Sequence, residues 1–261
     1  MGVIEFPHGK LYLADMWKVV SELPDSSIDL IISDGPYGIT EYEWDKVKSI
    51  QEYNLELIKL FYRKLKLGGA LYLFGKPDCI DFIDYRPYLT LQSKIVWYQP
   101  SRLAQGRKKY TNNYDIIAYF TRGPQPRVFN LDQIRVPQLV ELTHRIRCER
   151  VPSVKSGKYS RTKYNEKGKN PGDVWGDIKQ LTYKSKELLA SKLHTIQKPE
   201  RLMQRIIAAS SNPKDTVLDP FAGTGTVPAV CAKTNRYFIA IEKDPELYEI
   251  CKHRINEIYN S

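Results

Sequence analysis

The sequence predicts an α/β fold, one sizeable core on a parallel sheet with an insertion, and three stretches carry that reading. Ile28 to Ser33 (IDLIIS) is a short apolar run of the kind buried on both faces of a parallel sheet. It runs straight into Asp34-Gly35-Pro36-Tyr37, which places a carboxylate, a proline-stiffened turn and an aromatic ring at a strand's carboxyl end. Open α/β sheets bind ligands at that end. Far downstream, a strand at Thr216 to Leu218 enters Asp219-Pro220-Phe221-Ala222-Gly223-Thr224-Gly225-Thr226, and the strand YFIAI then ends in Glu242-Lys243-Asp244. A ring beside a carboxylate, together with a glycine loop followed by an acid, points to an enzyme that acts on a nucleobase with a nucleoside cofactor.

In chain order, Lys10 to Trp17 reads as a strand and turn, with Asp15 just past its apolar part, and Leu23-Pro24-Asp25 as a turn. Gly38 to Lys48 is polar and aromatic without a period and reads as a mobile loop. Tyr53, Leu57, Leu60, Phe61 and Leu65 recur at helical spacing, and Gly68-Gly69 is expected to stop that helix. Ala70 to Phe74, Lys94 to Tyr98 and Ile116 to Phe120 read as strands. The tract from Arg122 to Gly176 has five prolines and few periodic apolar residues, which reads as an insertion. Pro199 opens a helix with Leu202, Met203, Ile206 and Ile207 on one face, and a last amphipathic helix carries Leu247, Cys251 and Ile255.

At 261 residues, one α/β core with an insertion fits better than two full domains. The start MGVIEFPHGK does not read as a signal peptide, and no apolar run is long enough to span a bilayer. Cys79, Cys148, Cys231 and Cys251 are scattered, which disfavours a disulfide scaffold and fits a reducing, cytoplasmic compartment. The four histidines are equally dispersed, so no metal is expected. The net charge of +10 and pI near 9.2 favour a polyanionic partner. The charge gathers between Arg127 and Lys169, where eleven Lys/Arg stand against four Asp/Glu among tyrosines and small polar residues. That composition suits phosphate contacts.

In the glycine loop, Gly223 and Gly225 allow close backbone approach to a ligand, and a helix beginning near Thr226 aims free N–H groups at it. Glu242 lies seventeen positions after Gly225, at the end of the next strand, where an acid can chelate ribose hydroxyls. Pro228 stands where a dinucleotide fingerprint needs its third glycine, and no Gly-Lys-Ser/Thr of a P-loop is present.

These parts, in this order, resemble the permuted beta class of S-adenosylmethionine-dependent DNA amino-methyltransferases, from about Leu11 to Ile255. In that family an Asp-Pro-Pro-Tyr-like motif comes first, a recognition region next, and an Asp-Pro-Phe-x-Gly-x-Gly-Thr loop last. Ala14-Asp15 resembles the family's Gly-Asp turn near the cofactor adenine. Asn170 to Trp175 (NPGDVW) resembles the segment closing the recognition region, and His194 to Pro199 (HTIQKP) resembles a His-Pro-Thr-Gln-Lys-Pro segment bordering the methionine end.

The resemblance implies a Rossmann-like methyltransferase sheet with helices on both faces and a basic target-recognition insert. It divides the chain into a catalytic half (1–125), the insert (126–175) and a cofactor half (176–261). It implies that Asp219 and the loop Phe221, Ala222, Gly223, Thr224, Gly225 and Thr226 hold the methionine portion of S-adenosylmethionine. Glu242 would take the ribose, Asp15 the adenine side, and Lys198 would lie near the carboxylate.

An exocyclic amine is a weak nucleophile because its lone pair is delocalised into the ring. Asp34, and the carbonyl of Gly35, would accept its two N–H groups and aim that lone pair at the methyl carbon. Pro36 would stiffen the turn, and Tyr37 would stack on a base flipped out of duplex DNA. The family's first proline is Gly35 here, which keeps the carbonyl and gives up rigidity. In the family, Asp at this position occurs mostly with adenine N6 and Ser mostly with cytosine N4, so adenine N6 is the expected target. A cytosine-N4 enzyme and a catalytically impaired DNA-binding relative are the alternatives. A second enzyme reading, methylation of RNA or of a protein glutamine, is disfavoured by Asp at 34, where glutamine enzymes favour Asn, and by the basic insert.

Within the insert, Arg145, Arg147, Arg150, Arg161 and Lys163 are the candidates for contact with double-stranded DNA. A homodimer, common among beta-class relatives, and a cognate restriction endonuclease are further partners that the family leaves open.

Overall fold

Among the described residues, nine strands share one mixed sheet. Their spatial order is β1 (Gly2–Phe6), β2 (Gly9–Leu13), β11 (Tyr237–Glu242), β10 (Thr216–Asp219), β3 (Ile28–Ser33), β4 (Leu65–Gly75), β6 (Tyr114–Thr121), β5 (Thr90–Tyr98) and β9 (Val174–Trp175). The five central strands from β2 to β4 run parallel, while β1 and β6 are antiparallel to their neighbours. A separate pair joins β7 (Val151–Pro152) to β8 (Tyr159–Ser160). The structure, a computed structural model, describes residues 2–38, 47–100, 108, 110–138, 165–189 and 197–260, and the backbone at 151–152 and 159–160.

Alternation along each strand divides the apolar residues between two faces. Leu30, Ile32, Tyr72, Ile117, Val217 and Ala240 enter one core with α5 (Glu200–Ser210), α6 (Thr226–Lys233) and α7 (Pro245–Asn260). Ile31, Leu71, Ala118, Leu218 and Ile241 enter the other with α1 (Met16–Glu22), α2 (Ile50–Lys64) and α3 (Pro77–Ile80). Strands that are apolar on both faces require this three-layer arrangement. β3 leads through α2 to β4, whereas β10 leads through α6 to β11. The winding therefore reverses between β3 and β10, and such a switch point opens a crevice at the carboxyl ends.

The amino end of that seam is locked by charge. Asp29 is 4% exposed. It accepts from Lys66 Nζ at 2.9 and 2.8 Å, from the Thr216 N–H at 2.9 Å, and from Arg127, which also bonds Asp215 at 2.9 Å.

The structure corrects several sequence expectations. β1 and α1 are elements the sequence does not announce, and Met16 and Trp17 open a helix rather than close a turn. α2 ends at Lys64, so Leu65 and Gly68-Gly69 belong to β4 instead of the helix and its stop. Pairing of Leu65 with Ile28, ahead of a register shift, draws these residues into the sheet. In α7 it is Tyr248, not Leu247, that is buried beside Cys251 and Ile255.

The tract read as an insertion is tied to the core at both ends. Asn130 Nδ2 bonds Ala208 O, Ser211 O and Asn212 Oδ1, each at 3.1 Å, and α4 (Leu131–Ile134) buries Ile134. At the far end, β9 pairs with β5 in the main sheet. Residues 39–46 of the expected loop lie outside the described residues, as do Arg145, Arg147, Arg150, Arg161 and Lys163. No helix among the described residues is long and apolar enough to cross a membrane.

Candidate active site

Four strand ends converge at the crevice. Asp15 follows β2, Glu242 ends β11, Asp219 ends β10 and Asp34 follows β3. Parallel register brings them together, since Leu218 pairs with Ile31 and Glu242 with Leu13.

Asp34 is held on both oxygens. The Tyr37 hydroxyl donates to Oδ1 at 2.8 Å, and Lys198 Nζ donates to Oδ2 at 2.5 Å. The Lys198 side chain is only 6% exposed, and its ammonium lies 5.7 Å from the Tyr37 ring centre and 5.6 Å from that of Phe74. Burial, followed by the Asp34 charge, pushes the Tyr37 hydroxyl well above its ordinary value, so it stays a donor. Pro36 completes the turn between these two residues.

Gly35 sits against Phe221. A Cβ at Gly35 would come within 2.7 Å of Phe221 Cε2, so the bare backbone is needed for that contact. The stiffness expected from a proline is supplied here by packing between the two loops.

The glycine loop divides its labour. Gly225 has φ +80°, and a Cβ there would meet Cys251 Sγ at 2.7 Å, so this glycine lets α6 pack on α7. Gly223 has φ +53°, and a Cβ there would meet nothing within 4 Å, which leaves it as the residue open to a ligand. Its N–H donates to Glu242 Oε2 at 2.8 Å, while Oε1 accepts from Asp244 N at 2.8 Å. Ala222 is buried, and its N–H bonds Ile241 O at 2.9 Å. Thr224 and Thr226 also turn inward: the Thr226 hydroxyl donates to Lys198 O at 3.1 Å, and Arg254 reaches Thr226 Oγ1 at 3.1 Å and Thr224 O at 3.3 Å. These two threonines therefore brace the loop.

Asp219 is 4% exposed, with Oδ1 accepting from Phe221 N at 3.2 Å. Burial pushes its carboxyl well above the usual range; the Phe221 N–H opposes this, and the charges of Asp34 and Glu242 add to it. Burial likewise raises Glu242, against the N–H groups of Asp244, Gly223 and Lys243. Asp15 caps α1 by accepting from Trp17 N at 2.8 Å, and Ala14 N bonds Glu242 O at 3.0 Å.

Sequence reasoning missed the polar wall beside this turn. Lys76 Nζ and Gln99 Nε2 bond the two oxygens of buried Asp115 at 2.6 and 2.7 Å, and Asp115 is close enough to add to the upward push on Tyr37. Lys76 and Gln99 directly follow β4 and β5, and Asp115 lies at the start of β6, so the available signal was polar residues at strand ends. Arg127 and Arg135, counted among the basic residues for DNA, are instead bound internally, Arg127 to Asp29 and Asp215, Arg135 to Asp132 at 2.7 Å. A separate cavity of about 530 Å³ lies between Tyr72, Tyr119, Phe129 and Trp175, and neither the Asp34 turn nor the glycine loop lines it. Among the described residues, no group of three His, Cys, Asp or Glu side chains is arranged to hold a metal.

The crevice fits a nucleoside bearing a cationic sulfonium. It offers open space over Gly223, the carboxyls of Asp34, Asp219 and Glu242, and the buried Ser33 hydroxyl, which has no hydrogen-bond partner among the described residues and directly precedes Asp34.

Comparison with known proteins agrees with this geometry. A DNA methylase family model of the N6/N4 methyltransferases matches residues 28–253. Type II methyltransferase M.HpaI of Haemophilus parainfluenzae is 35% identical, covering 96% of this chain and 75% of that protein. DNA adenine methyltransferase YhdJ of Escherichia coli (strain K12) is 33% identical, over 91% of this chain and 79% of its own. Among solved structures, the cytosine-N4-specific PvuII DNA methyltransferase superposes with a TM-score of 0.66 at 17% identity, covering 97% of this chain and 92% of that one. The M1.HpyAVI–SAM complex gives 0.60 at 22%, with 95% and 99% covered. With the family match running through both the Asp34 turn and the glycine loop, the chain belongs to the N6/N4 DNA methylases, enzymes that use S-adenosylmethionine.

Proposed function

We propose that the protein methylates adenine N6 in duplex DNA, with Asp34 as the residue that engages the amine. The carrying observation is that Asp34 and the Asp219–Gly225 loop leave adjacent strands at the switch point, with Gly35 packed on Phe221. An amine acceptor and a cofactor loop are thereby held as one unit.

Bound S-adenosylmethionine supplies an electrophilic methyl group on a sulfonium. Asp34 accepts one amine N–H and the Gly35 carbonyl the other, which turns the nitrogen lone pair towards that methyl carbon. Transfer would exchange the S–C bond for an N–C bond and leave a neutral thioether, and Asp34 is placed to take the proton the amine loses. Tyr37 flanks the flipped base, Glu242 holds the ribose hydroxyls with lone pairs its backbone bonds leave over, and Asp15 lies on the adenine side. Asp219, Phe221, Ala222 and Gly223 form the methionine cradle, with Thr224, Gly225 and Thr226 as its frame. Residues 1–125 and 176–261 act as the catalytic and cofactor halves. Residues 126–175 act as the recognition insert, whose Arg145, Arg147, Arg150, Arg161 and Lys163 meet DNA. A homodimer and a cognate endonuclease complete the assembly this reading allows.

Adenine is favoured by the aspartate at 34 and by the kinship with YhdJ, a DNA adenine methyltransferase. Mass spectrometry of nucleosides from unmethylated host DNA incubated with protein and cofactor tests it. N6-methyladenine is expected, N4-methylcytosine would overturn the target, and no methylated base would overturn the reaction on DNA.

A further inference from the structure

Lys198 stands in a segment that resembles one beside the cofactor's methionine end, yet in the structure its ammonium goes to Asp34. The bond is 2.5 Å long, and the side chain is buried at the head of α5. Its backbone is pinned as well, since Lys198 O accepts the Thr226 hydroxyl and that oxygen is gripped by Arg254. Arg254 is fixed in turn by Glu200 at 2.9 Å. The ammonium is therefore carried on a rigid base rather than on a free side chain.

A carboxylate has about four acceptor positions on two oxygens. Tyr37 takes one on Oδ1 and Lys198 takes one on Oδ2, which leaves the others for an incoming amine. Among the described residues, the charged and titratable groups facing Asp34 come from three elements. They are Tyr37 on its own turn, Lys198 ahead of α5, and Asp219 at the end of β10, with Glu242 behind Asp219. The Asp34 charge adds to the upward push on the Asp219 carboxyl, and the Lys198 ammonium stands on Asp34 to offset that charge.

We propose that Lys198 is a positioning residue for methyl transfer: it orients the Asp34 carboxylate and balances its charge, so that Asp34 presents fixed acceptor lone pairs to the target amine. This role rests on the reading of Asp34 as the amine acceptor. It differs from a role in holding the cofactor, because it acts on the rate at saturating cofactor and through Asp34.

Lys198→Met, Lys198→Arg, Asp34→Asn and the Lys198→Met/Asp34→Asn double variant test it by single-turnover transfer to host DNA, calorimetric S-adenosylmethionine affinity and urea unfolding. Lys198→Met is expected to slow transfer at saturating cofactor by about 100-fold, with Kd changed less than about threefold and Lys198→Arg within about tenfold of wild type. The double variant should be no slower than Asp34→Asn. Unfolding of the unliganded proteins should show the two substitutions to be coupled, which reports the pair without any turnover.

Lys198→Met that binds cofactor at least about tenfold more weakly but transfers normally once saturated would overturn the role and return Lys198 to the cofactor. Additive losses in the double variant would also overturn it. Wild-type transfer by Asp34→Asn would instead sink the underlying reading of Asp34, a result distinct from either outcome at Lys198.

Discussion

Asp29 and Asp219 sit at opposite ends of the seam between β3 and β10, and each is 4% exposed. Asp29 collects Lys66, Arg127 and the Thr216 N–H. Asp219 collects the Phe221 N–H and then faces Asp34 and Glu242. The same side chain at the same depth is a closed lock of cations at one end and, at the other, a carboxyl that burial pushes well above its usual range. Among the described residues no cation bonds Asp219 itself, and burying a carboxyl in that way costs stability, so a fold that does so at a ligand crevice gives up stability for a site that a bound cation can ionise. Sulfonium chemistry is what such a crevice suits.

The contrast breaks if the two ends respond alike. The largest effect is expected from Asp34→Ala, with transfer reduced by at least about 100- to 1000-fold and calorimetric cofactor affinity nearly unchanged. Next, Asp29→Ala should cost about 2–3 kcal/mol in urea unfolding, because the Thr216 N–H loses its acceptor, Lys66 loses its partner and Arg127 keeps only Asp215. Activity per folded molecule should hold. A stable but inactive Asp29→Ala would erase the distinction between the ends.

Gly225→Ala should destabilise by about 1–3 kcal/mol through the Cys251 clash and its positive φ, whereas Gly223→Ala carries the positive-φ cost without a clash and should chiefly weaken cofactor binding. Equal effects at both glycines would deny their separate duties.

The pH responses are the finest discriminator. Asp219 titrates higher in the folded than in the unfolded chain, so the folded state holds more protons across the interval between those two values. Stability in that window falls as pH rises, and Asp219→Asn should remove the decline. A bound cation favours the ionised forms of Asp219 and Glu242, so cofactor binding should release protons and tighten as pH rises through the same window. Calorimetry in buffers of different ionisation enthalpy reads that release, and a buffer-independent heat would contradict it.

The central strands were legible in the sequence because runs such as IDLIIS and YFIAI are apolar on both faces, and only a covered parallel sheet tolerates that. The Asp34 turn and the glycine loop were legible from their residues alone. β1 was not, because Gly2–Phe6 is largely exposed, and α1 is only seven residues long, in a stretch that reads as strand and turn. The reach of β4 back to Leu65 comes from pairing with Ile28, a tertiary effect that overrides the helix-stopping look of Gly68-Gly69. Arg127 shows the same limit from the other side: in sequence it belongs to a basic tract, and only the fold places it on Asp29. Lys198 lies 164 positions from Asp34, and Lys76 and Gln99 lie 39 and 16 positions from Asp115, distances at which no local pattern operates.

The seam between β3 and β10 also sets a timetable. Its strands are neighbours in the sheet, but Thr216 is made long after Ile28. At about 5–20 residues per second, the ribosome takes on the order of 10–40 s to deliver the second strand after the first. Through that interval β3 has an open edge on the β10 side, and Asp29 and Asp34 wait without Thr216 or Lys198. A nascent chain of this kind carries half a crevice, and methyl transfer can begin only when the last third of the polypeptide has closed it.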